Sequence, residues 1–177
     1  MADIRDLVES DRGILKRIQA FLPGYKIYRT CEDLRSADNI LRSSLVRKLE
    51  AMADNIKDTR KNISSRMDMK NLNIIGELVN LGDSVTGKVR HAQQGYSPWI
   101  SGDVRIEEDE LRKLYDYDLS LVTDMDNMLE MSEKLKRSSE SDDKDIGVVM
   151  GEMREILIRF DRKFKERIDK VTEVAQE

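Results

Sequence analysis

The chain has 177 residues, enough for one domain with a core, and 37% of them are charged while only 5% are aromatic and two are proline. That profile suits long amphipathic helices and argues against strands, which favour β-branched and aromatic side chains. The formal charge of −4 comes from 31 basic and 35 acidic residues interspersed along the chain, so the basic stripe that nucleic-acid binding requires is missing.

No run of about 18 apolar residues is present for a transmembrane helix. The opening segment, MADIRDLVESDRG, is acidic and amphipathic, unlike a signal or transit peptide. The expected location is therefore cytoplasmic, with no membrane insertion and no nucleic-acid partner.

The first predicted helix runs from Asp3 to Leu22, with Ile4, Leu7, Val8, Ile14, Leu15, Ile18, Phe21 and Leu22 mostly on one face. Pro23-Gly24 ends it, since proline blocks continuation and glycine permits the turn. A very long second helix is expected from Tyr28 to Ser64, opened by Thr30 and Asp33 as a capping pair. Its stripe is Cys31, Leu34, Leu41, Leu45, Leu49, Met52 and Ile56. Such a helix spans roughly 50 Å and needs a comparably long partner to cover it. Cys31, the only cysteine, sits on that stripe and reads as a small core residue.

The third helix is expected from Met69 to Gln94, facing inward through Leu72, Ile75, Leu78, Val79, Val85 and Val89. Gly76, Gly82 and Gly87 within it are assigned to close helix approach. A phosphate loop is rejected because GELVNLGDSVTGK continues into valine, where that motif needs serine or threonine, and follows no strand. Gly95 to Ile106 is irregular. Acidic residues from Glu107 then open a fourth helix to Arg137, where negative charge suits the N-terminus. Its stripe is Leu111, Leu114, Leu121, Val122, Met125, Met128, Leu129 and Leu135.

After the polar turn SSESDDKD a fifth helix runs from Asp143 to Ala175, presenting Ile146, Val149, Met153, Ile156, Leu157, Phe160, Phe164, Ile168 and Val171. Five helices joined by short turns predict an all-α, antiparallel up-and-down bundle spanning residues 1–177 as a single domain.

Little in this pattern is chemically convergent. The only histidine, His91, has no Glu-x-x-His motif and no carboxylate beside it, so no metal site is assigned. No glycine elbow presents a serine nucleophile. Neither a catalytic residue nor a cofactor is expected.

Two carboxylates stand out by helical phase. At about 100° per residue, Asp38 falls in the arc of Leu34, Leu41, Leu45 and Met52, with Arg35 and Arg42 along its margin. Asp118 falls in the arc of Val122, Met125 and Leu129. A buried aspartate must be paired or hydrogen-bonded. Asp118 lies about 23 residues from its turn, Arg42 about 25 and Arg90 about 23, which places either arginine at its level. The candidate polar cluster is thus Arg35, Asp38, Arg42, Arg90 and Asp118.

A second feature is aromatic. Tyr25 and Tyr28 in PGYKIY, and Tyr96 and Trp99 in GYSPWI, should meet at one end of the bundle if the second and third helices are antiparallel. Such a loop is either a binding surface or a plug for the bundle end.

GYKIY, the segment from Glu32 through Arg35 and Asp38 to Arg42, GYS, and LYDYDL around Asp118 together resemble an uncharacterised prokaryotic family of helical-bundle proteins with no known activity. Where that family carries a small residue and two aromatics after GYS, this chain has Pro98, Trp99 and Ile100. The resemblance implies a helical fold and supports Arg35, Asp38, Arg42 and Asp118 as a unit.

The leading functional expectation is a non-enzymatic interaction or scaffold protein. It would act through a long helical surface or self-association, with a protein partner, either itself or another. The alternative is a small-molecule (anion or sugar) binding site or an enzymatic site, built on Arg35, Asp38, Arg42 and Asp118 beneath the aromatic loop.

Overall fold

The computed structural model describes residues 4–26, 31–92, 106–141 and 145–174, with backbone alone at 4–12, 31–32, 108 and 174. Five helices account for 91% of the described residues, and no strand is among them. They are α1 (Ile4–Phe21), α2 (Cys31–Ser65), α3 (Met69–His91), α4 (Glu108–Glu140) and α5 (Ile146–Val174). Each ends within about three residues of its predicted limit, because proline, glycine and polar runs punctuate the apolar periodicity. Among the described residues no helix is long and apolar enough to cross a membrane. Thr30 and the side chain of Cys31 lie outside what is described.

The chain divides into two compact units. One contains residues 1–44, 93–122 and 163–177, the other residues 45–92 and 123–162. α2, α4 and α5 each contribute to both.

In the second unit the apolar stripes form the core. Leu49, Met52, Ile56, Ile75, Val85, Met125, Met128, Leu135, Met153, Leu157 and Phe160 are all fully buried. Ion pairs give the helix directions. Glu50 pairs with Arg90 and Lys57 with Asp83, at 2.9 Å for the second, so α3 runs antiparallel to α2.

α4 instead runs parallel to α2. Lys48–Asp126, Asn55–Ser132, Asp58–Lys136 and Asn62–Ser139 keep a constant separation of 77 or 78 residues. Helices of opposite hairpins can therefore be parallel neighbours, which a pattern of apolar positions does not specify.

Two of those contacts repeat at a heptad. Asn55 Nδ2 donates to Ser132 Oγ at 3.0 Å and Asn62 Nδ2 to Ser139 Oγ at 2.9 Å. Each serine hydroxyl in turn donates to a carbonyl three residues earlier, on Leu129 or Lys136. Ser132 and Ser139 are almost fully buried, and their small size admits the asparagine side chains. Buried polar groups satisfied in this way contribute about 0.5–1.5 kcal/mol net each, but misalignment leaves them unsatisfied at greater cost. The ladder therefore selects one register of α2 against α4.

Of the three glycines within α3, only Gly82 meets another helix. A methyl there would touch Met52 and Ile56 at 3.6 and 3.8 Å, an ordinary contact distance. Gly76 and Gly87 would present a methyl to open space, so close approach does not explain them.

Asp58 bridges Lys136 at 2.8 Å and Lys61 at 2.9 Å. Those hydrogen bonds, the one from Lys136 foremost, hold its carboxyl down at about 2. A carboxyl depressed on folding adds stability that is fully present above its unfolded value near about 4 and is lost as pH falls through the folded one. Thermal midpoints of the protein and of Asp58→Asn should therefore differ most above about pH 4 and converge toward about pH 2. An offset that stays constant across that range would refute this linkage.

Candidate functional site

Within the first unit, the turn after α1 places the first member of a buried polar cluster. Gly24 adopts φ +90°, a left-handed conformation that glycine enters without a steric penalty. The turn is held by Tyr25 N donating to Leu22 O at 3.1 Å and Gln19 Nε2 donating to Tyr25 O at 2.8 Å. Tyr25 is thereby turned inward with 1% exposure, and its hydroxyl donates to Asp118 Oδ2. Leu15, Ile18 and Leu22 bury the α1 side of the same turn.

Asp118 lies on α4 with no exposed surface, flanked along the helix by buried Leu114, Tyr115, Leu121 and Val122. Its other oxygen, Oδ1, accepts from Arg167 Nε on α5 at 2.6 Å. Arg167 is itself fully buried, and its Nη1 donates to Asp38 Oδ1 on α2. Asp38 Oδ2 accepts from Arg42 Nε at 2.7 Å, and Arg42 Nη2 donates to Asn39 Oδ1 at 3.0 Å.

One guanidinium thus spans two carboxylates from two helices. The planar fork of arginine suits this arrangement, whereas a lysine ammonium is a single point charge. Two carboxylates and two guanidinium groups balance formally, as a buried set must.

Helical phase correctly placed Asp38 and Asp118 in the interior: they are 2% and 0% exposed. Neither Arg42 nor Arg90, the arginines expected at the level of Asp118, is the central cation. Arg167 bridges the two aspartates, while Arg42 sits at the margin, its side chain 13% exposed and bonded to Asp38. Arg90 does not join the cluster. It lies in the second unit, exposed, and pairs with Glu50. Counting residues from the turns fixes height along a helix but not the direction in which a side chain points, and Arg90 is on the outer face of α3. Arg35 lies one turn before Asp38 and is half-buried.

Arg167 was legible by the same rule that found the aspartates. At about 100° per residue it falls in the arc of Phe160, Phe164 and Val171 on α5. Of the four aromatic candidates Tyr25 is buried, so in the described structure it serves the interior. Tyr28, Tyr96 and Trp99 lie outside the described residues.

An open groove in the same unit, about 350 Å³, is lined by Lys113, Asp116, Tyr117, Ser120, Lys163 and Glu166 and includes none of the cluster. Lys163 Nζ donates to Ser120 Oγ at 2.6 Å beside it. Elsewhere in the unit Lys170 bridges to Glu110 at 2.6 Å, and that carboxylate, foremost by its hydrogen bond, raises the lysine. Among the described residues no group of three or more His, Cys, Asp or Glu side chains is placed to hold a metal ion. Comparison with models of known protein families, with characterised proteins and with solved structures finds no match to this chain.

Proposed function

We propose that this chain is a non-enzymatic interaction or scaffold protein that works through long helical surfaces, by self-association or by binding another protein. The observation that supports this reading is the closure of its convergent ionisable groups. Asp38, Asp118, Arg167 and Tyr25 are each at most 2% exposed and bonded to one another. A site for an anion or sugar would need those groups open to solvent, so their burial weighs against the alternative reading.

In this proposal the cluster acts as an internal register lock for α2, α4 and α5 and for the turn after α1. Buried ion networks are weak sources of net stability, but they penalise every register that leaves a charge alone. A scaffold needs its outer faces held in one arrangement, and such a lock supplies that.

Sedimentation velocity over a range of concentrations, together with pull-down from native lysate, tests the reading. Reversible self-association or a specific co-purifying protein is expected. A strict monomer that retains no partner would overturn it.

A further inference from the structure

We propose that Met67 and Met69, at the turn between α2 and α3, form a reversible oxidation site that accepts oxygen atoms from a hydroperoxide. The inference stands apart from the scaffold reading and rests on how this chain distributes its nine methionines. Met52, Met125, Met128, Met150 and Met153 are fully buried in the core, where their flexible thioethers fill space. Met67 and Met69 are instead 84% and 65% exposed.

The fold does not account for a methionine at position 67. Met67 follows the last turn of α2, its N–H donating to Ser64 O at 3.1 Å, with φ at 57°. Glycine or asparagine is the usual residue in that left-handed position, because other side chains crowd the backbone there. Methionine adds neither turn propensity nor packing, since its side chain is in solvent.

Between the two methionines, Asp68 caps α3 by accepting from Asn71 N at 3.1 Å. Val148, 61% exposed in the first turn of α5, lies at the same end of this unit. Arg66 Nη2 donates there to Glu140 O at 2.8 Å, and Gly147 approaches Asn71.

The thioether sulfur attacks the distal peroxide oxygen, an S–O bond forms and the O–O bond breaks. Sulfur loses two electrons, and the peroxide is reduced to water or to an alcohol. Reduction by an enzyme of the methionine sulfoxide reductase class reverses it: two thiols become a disulfide and the oxygen leaves as water. Oxidation replaces an exposed apolar pair with polar acceptors while the core thioethers remain intact. The end of the unit changes character without unfolding.

Limited treatment of the intact protein with hydrogen peroxide, followed by peptide mass mapping, tests the proposal. Met67 and Met69 should each gain one oxygen at least about tenfold faster than the five buried methionines, which react only after opening. At that dose circular dichroism should be unchanged. Methionine sulfoxide reductases for both sulfoxide epimers, with dithiothreitol, should remove both oxygens. In Met67→Leu/Met69→Leu the rapid uptake assigned to these positions should vanish with the fold retained. Equal rates at exposed and core methionines would overturn the proposal, as would oxygens at 67 and 69 that the reductases leave in place.

Discussion

Arg167→Ala is expected to lower the unfolding free energy by about 3–5 kcal/mol, the usual cost of removing one partner from a buried ion pair. The cause is the loss of the cation shared by Asp38 and Asp118, both almost fully buried. Arg42 remains for Asp38, and the Tyr25 hydroxyl for Asp118, so neither carboxylate is left wholly without a donor. Urea denaturation measures the loss, with Arg90→Ala as the exposed-arginine control. Arg167→Lys should fall between the two, because an ammonium keeps the charge but not the two-pronged geometry. A loss no larger than that of Arg90→Ala would show that the guanidinium does not hold these helices.

Substitution of Tyr25 carries an effect of comparable size, and it separates shape from hydrogen bonding. Tyr25→Phe keeps the ring and deletes the donor to Asp118, which should cost about 1.5–3 kcal/mol, the range for bonds to charged groups. Tyr25→Ala also removes a fully buried ring and should cost at least about 3–5 kcal/mol. A double-mutant cycle with Asp118→Asn should return a coupling of about 0.5–3 kcal/mol, as for residues in one network. A neutral Tyr25→Phe with zero coupling would mean that the ring alone fastens the turn after α1.

These predictions depend on parts of the site that were unequally legible. Asp38 and Asp118 could be read because a short acidic residue inside an apolar arc has no other reason to be there. Arg167 obeys the same rule on α5, between Phe160, Phe164 and Val171, and at about 26 residues from the turn before α5 it also lies at the level of Asp118. Tyr25 read as an aromatic contact, but no local pattern indicates that its hydroxyl reaches a carboxylate 93 residues away.

Local periodicity and turn chemistry by themselves determined the helical class, the five helices and their inward stripes. They also determined the break at Pro23-Gly24 and the interior placement of the two aspartates. Each follows from interactions within a few residues: backbone hydrogen bonds, glycine and proline sterics, and the period of 3.6 that gathers apolar residues on one face. Only the tertiary structure decided that α2 and α4 are direct neighbours in the second unit, that Asn55 and Asn62 find Ser132 and Ser139, and that Arg167 rather than Arg90 spans the aspartates. Those choices depend on which helix faces meet. Many pairings of amphipathic helices bury similar apolar area, whereas a directional hydrogen bond or a buried charge is satisfied in very few of them.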